Sequence, residues 1–181
     1  AQYPSASGLG ITAGPQASFW HSAAAIYRPV PGAVAGLYVP IGIGNRWEIQ
    51  PELLLSMDGT ARDIPDGPQR ILRTFHAALP VNLKLFLGRT FNLQAGAWGG
   101  YLLHARMDGN EATSTISTLD MGVCAGIGIG TGSGVDLTLR YCNGLANTLK
   151  DDHALLPSSR MLVATVGKRL VQFRNTRSHG H

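Results

Sequence analysis

The sequence predicts an all-β chain: an eight-stranded, antiparallel, up-and-down transmembrane β-barrel with short periplasmic turns and longer extracellular loops. Three observations predict it. Short glycine turns at Gly44-Asn45, Gly88-Arg89-Thr90 and Gly132-Ser133-Gly134 alternate with long connections at 20–31, 57–73, 106–117 and 145–159. Outer-membrane barrels show that asymmetry, and a soluble sandwich has no reason to gather its long loops at one end. Charged residues are only 14% and hydrophobic residues 44%, against about 25% charged in an ordinary soluble domain. Finally, no apolar run approaches the roughly 20 residues of a membrane helix, so a spanning chain must close into a barrel to satisfy its backbone.

Taken in order, each strand alternates between a lipid face and a lumen face. In 9–19, Leu9, Ile11, Ala13 and Phe19 face out, with Thr12, Gln16 and Ser18 opposite. In 33–43, Leu37, Val39, Ile41 and Ile43 face out, over glycines and Tyr38. The clearest alternation is 47–56, with Trp47, Ile49, Pro51, Leu53 and Leu55 out and Glu48, Gln50, Glu52, Leu54 and Ser56 in. Next, 74–87 sets an unbroken apolar row from Phe75 to Leu87 against Thr74, His76, Asn82 and Lys84. In 91–104, Asn92, Gln94, Trp98 and His104 point inward. In 119–129 the inner row is Asp120, Cys124 and glycines, and in 135–141 it is Asp136, Thr138 and Arg140. The last strand, 160–173, is oriented with Leu162, Ala164, Val166 and Leu170 outward, leaving Lys168 at the membrane edge. A soluble lipocalin-like barrel would reverse the faces, but the polar rows carry Gly, Asn and Gln where a solvated surface should carry many Lys and Glu.

Eight strands enclose a lumen just wide enough for side chains to fill. The expected filling is a polar network of Glu48, Glu52, His76, Asn82, Lys84, Asp136 and Arg140. Buried charges must be paired to be tolerated, so these residues are read as bridging the interior, with a proton or ion path as the sharper alternative. The domain expectation is a single barrel over 1–173 and a basic tail over 174–181. The basic stretch 169–177 reads as a solvated or headgroup-contacting end. A net charge of +4, with cations scattered and no aromatics interleaved, gives no nucleic-acid surface. The start Ala1-Gln2-Tyr3 suits a mature exported chain whose signal peptide has been removed.

Pairing about the Gly132-Ser133-Gly134 tip sets Cys124 opposite Cys142, both inward. Two buried thiols are the first reading, because directly opposed strand residues often miss disulfide geometry. A cross-strand disulfide is the second, allowed in an oxidising compartment, and a metal site is a distant third. Neither a metal nor an organic cofactor is expected. The Asp-Gly stretches after Met57 and Met107 read as turns and not as calcium loops. Ser56, Glu52, His76 and His104 contain the residue types of a hydrolase, but no Gly-x-Ser-x-Gly motif accompanies them. Trp20, Tyr27, Ile64, Leu155 and Leu156 are apolar positions in polar loops, suited to capping the barrel mouth or contacting a partner.

Several stretches carry a family resemblance. Gln50-Pro51-Glu52-Leu53-Leu54-Leu55-Ser56, Leu79-Pro80-Val81-Asn82-Leu83-Lys84 and Gly96-Ala97-Trp98-Gly99-Gly100-Tyr101-Leu102-Leu103 follow one another in the order of the third to fifth strands of a family. Leu119-Asp120-Met121-Gly122, Leu139-Arg140-Tyr141 and Val166-Gly167-Lys168-Arg169-Leu170 stand where its later strands belong. Together they resemble the small outer-membrane β-barrel family typical of Bacteroidota, often labelled PorT-like, over roughly residues 5–173. The chain departs from the pattern where Phe173 is followed by 174–181 instead of ending on an aromatic, and its 7% aromatic content implies thin interfacial girdles. The resemblance implies an outer-membrane barrel and little more, although one branch of the family takes part in type IX protein secretion. The leading functional expectation is a non-enzymatic structural or accessory subunit of a larger outer-membrane complex. Its expected partners are outer-membrane lipids and other outer-membrane or periplasmic proteins. A narrow channel for small solutes or ions is the alternative, and a lipid-modifying enzyme stands third.

Overall fold

The computed structural model describes residues 7–21, 27–62, 70–107, 110–111, 119–145 and 158–173. Within them run β1 (Gly8–His21), β2 (Tyr27–Tyr38), β3 (Ile41–Ile43), β4 (Trp47–Arg62), β5 (Arg70–Phe86), β6 (Phe91–Met107), β7 (Asn110–Glu111), β8 (Leu119–Gly130), β9 (Val135–Gly144) and β10 (Ser158–Gln172). β2 and β3 occupy one column of the sheet, both pairing with β4. The break between them falls at Pro40, which has no N–H for the ladder, although its carbonyl still accepts from Gly8 N at 3.0 Å. β7 is a two-residue ribbon on β6. Eight columns remain, each antiparallel to the next, and β1 pairs with β10 to close the sheet on itself. Closure leaves no column with an open edge.

The short turns are those expected. Gly44 and Gly134 carry φ of 63° and 78°, a conformation that glycine adopts without steric cost. At the other end the strands outrun the sequence reading. β1 continues to His21 and β2 starts at Tyr27, and β4 and β5 approach as close as Arg62 and Arg70, so the connections there are shorter than expected. Backbone ladders extend past the point where apolar alternation stops, because hydrogen bonding and not hydrophobicity defines a strand.

The faces follow the alternation. Leu55 and Leu79 are each 62% exposed on the outer wall, while Glu48 is 0%, Asn82 1% and Lys84 1% exposed inside. This is the inverse of a soluble protein, with the wall apolar and the interior polar. At one edge of the wall stand Trp47, Phe91 and Phe173, and toward the other Phe75 and Tyr101, a sparse aromatic girdle at each rim. Between Phe91 and Leu103, at about 3.3 Å per residue and a tilt near 40°, the wall rises about 30 Å.

Candidate functional site

The lumen is built from the inward rows, and it divides into two parts. In the half nearer the short turns, β4 and β5 set Glu48 directly opposite Lys84. Lys84 Nζ lies 3.6 Å from Glu48 Oε1, and Arg169 Nη2 reaches Glu48 Oε2 from β10 at 3.5 Å. Tyr38 lies across this floor and donates its hydroxyl to Asp136 Oδ2 at 3.0 Å. Its ring is seated on two glycines: a Cβ at Gly10 would fall 2.3 Å from Tyr38 Cζ, and one at Gly167 would fall 3.1 Å from Cε1.

Midway along, Arg140 spans the lumen to Glu52. Nη1 donates to Oε1 at 2.7 Å and Nη2 to Oε2 at 3.0 Å. Glu52 Oε1 also accepts from Gln50 Nε2 at 2.7 Å and from Asn82 Nδ2 at 3.0 Å. Three carboxylates (Glu48, Glu52, Asp136) therefore share this lower part of the interior with three cations (Lys84, Arg140, Arg169). Paired and hydrogen-bonded in this way, each charge can be held away from water. Below Arg140 the free space shrinks to about 10 Å³, lined by residues such as Thr12, Tyr38, Gln50 and Thr165.

Above Arg140, toward the long loops, the interior opens into a cavity of about 70 Å³. Its floor is apolar, with Val34, Leu54 and Val163 packed together. On one side lies the Cys124–Cys142 disulfide, which overturns the two-thiol expectation. Its Cα atoms are 4.1 Å apart, the close approach of a non-hydrogen-bonded antiparallel pair, and Trp98 and Met161 pack against it. The mouth is polar: Gln16, Ser56, Asp58, Thr74, His76 and Asp120 line it. Gln16 Nε2 donates to Ser56 Oγ at 2.6 Å and to Asp58 Oδ2 at 3.4 Å, and Thr74 Oγ1 donates to Asp58 Oδ1. His76 Nδ1 stands 3.7 Å from Asp58 Oδ1. Ser56, His76 and Asp58 are thus neighbours, but among the described residues Ser56 has no hydrogen bond to His76. A nucleophile is activated through a link of that kind to its base.

All seven lumen residues expected from the alternation face inward. A family model described as an outer membrane protein beta-barrel domain matches residues 1–150. The chain belongs to that family. Membership places this outer membrane beta-barrel protein in the bacterial outer membrane. No curated protein matches it. Among solved structures it is similar to Neisserial surface protein A (NspA), at 16% identity and a TM-score of 0.59, covering 91% of this chain and 98% of that one. It is similar also to the outer membrane protein OprG from Pseudomonas aeruginosa, at 9% identity and a TM-score of 0.51, covering 96% and 98%. At such identities the likeness is one of fold.

Two positions differ from expectation in this barrel. His104 is not in the lumen. The β5–β6 register shifts between Phe75 and His76, so that Phe75 pairs with His104 and His76 with Leu102. That bulge returns Ala105 to the interior at 0% exposure and puts His104 on the outer side, where it accepts from Arg106 Nε at 2.9 Å. Arg169 is no part of a basic tail, since its guanidinium is turned in toward Glu48. Its inward parity opposite Lys168 and Leu170 was available in the sequence. Of the loop positions, the backbones of Trp20 and Tyr27 lie in β1 and β2, while their side chains, Ile64, Leu155, Leu156 and the segment 174–181 lie outside the described residues.

Proposed function

We propose that this protein is a non-enzymatic accessory subunit of a larger outer-membrane assembly, working through its outer wall and long-loop end and not through its lumen. The observation that carries the reading is the filled interior. The Glu52–Arg140 bridge and the Glu48–Lys84–Arg169 cluster occupy the half of the barrel nearer the short turns. A solute entering the cavity from the loop end meets a desolvated, charge-balanced plug, and moving Arg140 would leave Glu52 buried without its counter-ion. The resemblance to the PorT-like family, one branch of which takes part in type IX secretion, is what favours an assembly for protein export. Its partners on this reading are other outer-membrane or periplasmic proteins, held in the surrounding lipid.

Two measurements test it together. Crosslinking in native membranes, followed by affinity purification, should yield defined partners at fixed stoichiometry. In planar bilayers the purified barrel should give no stepwise conductance. A barrel that always purifies alone and conducts, with steps altered by Glu52→Gln, would replace the subunit reading with that of a narrow channel.

A further inference from the structure

On the outer wall over β8, β9 and β10 lies an apolar groove of about 320 Å³. Its lower row runs in register across the sheet as Phe91, Ile129, Leu137 and Val166, and the row above carries Ile127 and Leu139. Ala164 lines it beside Leu139. A methyl group there, among branched neighbours, leaves the wall concave. Two residues past Val166, on the same outward row of β10, is Lys168, which pairs with Val135 and Ile11. The offset is on the order of 7 Å. Lys168 Nζ donates to Ser133 O at 2.9 Å, which holds the ammonium at the rim and leaves its other two N–H groups to donate elsewhere.

Over the described residues, the exposed charge around that rim has one sign. Among the described residues at the short-turn end, the exposed charged side chains are Arg46, Arg89 and Lys168, and the carboxylates Glu48 and Asp136 are turned into the lumen and buried. Among the described residues an anion meets no exposed carboxylate there. In this family the short turns face the periplasm, where the leaflet is made of lipids with phosphate heads and hydrocarbon tails.

We propose that this groove and Lys168 form a site for one glycerophospholipid of the periplasmic leaflet. An acyl chain lies along Ile127, Leu139 and Ala164, and the phosphate accepts from the Lys168 ammonium. A glycerol backbone bridges a gap of the order that separates the two. An apolar groove alone would take any chain; the cation at its foot selects a phosphate-bearing one, in which two attractions act on one molecule. The site rests on the family's membrane location and is independent of the subunit reading.

Native mass spectrometry of the detergent-solubilised full chain tests the proposal. The probes are palmitoyl-oleoyl phosphatidylglycerol and the diacylglycerol with the same chains. The wild type should retain one phosphatidylglycerol in preference to diacylglycerol. Lys168→Gln should weaken phosphatidylglycerol retention about fivefold, Ala164→Phe should weaken retention of both lipids by filling the groove, and Arg46→Gln should change neither. Equal retention by Lys168→Gln and wild type overturns the proposal. So does an equal loss with Arg46→Gln, which would mean diffuse attraction. A dimer abolished by Ala164→Phe would assign the groove to a second copy of the chain and overturn it as well.

Discussion

Arg140 and Glu52 meet across the lumen as a bidentate ion pair, with both N–H···O distances between 2.7 and 3.0 Å and both side chains almost wholly buried. Removing one partner strands the other's charge away from water. Glu52→Leu should therefore cost about 3–5 kcal/mol, and Glu52→Leu with Arg140→Met should recover most of that loss. Urea titrations in detergent, followed by tryptophan fluorescence, measure both. Losses that simply add would show that the pair is not coupled as described.

Val81 is 50% exposed on the outer wall, near the middle of the apolar band. On a water-facing surface Val81→Arg would change stability by no more than about 0.5 kcal/mol. Against hydrocarbon it should cost about 2–4 kcal/mol. Reversible unfolding from lipid vesicles distinguishes the two values, and a near-zero cost would contradict the assignment of faces.

The Cys124–Cys142 bond closes a loop across a sequence separation of 18. Chain-entropy arguments give such a crosslink about 3 kcal/mol. Replacing both residues by Ala should lower stability by about that amount and leave the barrel assembled. A maleimide should label the unfolded wild-type chain only after reduction; labelling without reductant would rule the bond out.

Tyr38 leaves no space for a side chain at Gly10, where a Cβ would sit 2.3 Å from the ring. Gly10→Val should displace the ring, break its hydrogen bond to Asp136 and cost about 1–3 kcal/mol. The same change in a Tyr38→Ala background should cost much less. An equal cost in both backgrounds would place the strain elsewhere.

Most of this architecture was legible because a strand's two faces obey a period of two, and the two sides of a membrane barrel differ as sharply as lipid and water. Glu48, Glu52, Lys84 and Arg140 could be sent inward from parity alone. Parity fails where the register slips: the bulge opposite Phe75 put His104 outside, and no turn residue or proline marks it in the sequence. Arg169 was missed for another reason. A run of cations near a chain end invites a reading by composition, although the alternation around Lys168 already pointed its neighbour inward. The cysteine pair was placed correctly by turn arithmetic. Whether it bonds depends on which class of cross-strand pair it occupies, and residue numbers do not encode that.

The seam between β1 and β10 joins the two ends of the described chain, Gly8 to Gln172. No local folding can make that seam, because its halves are separated by every other strand. Until the segment Ser158–Gln172 has been synthesised, β1 has no mate on that side, and its N–H and C=O groups are a template for any stray strand. Closing the barrel therefore needs a contact of long sequence separation, and the rate of closure should respond more to changes in these two strands than to changes in any hairpin.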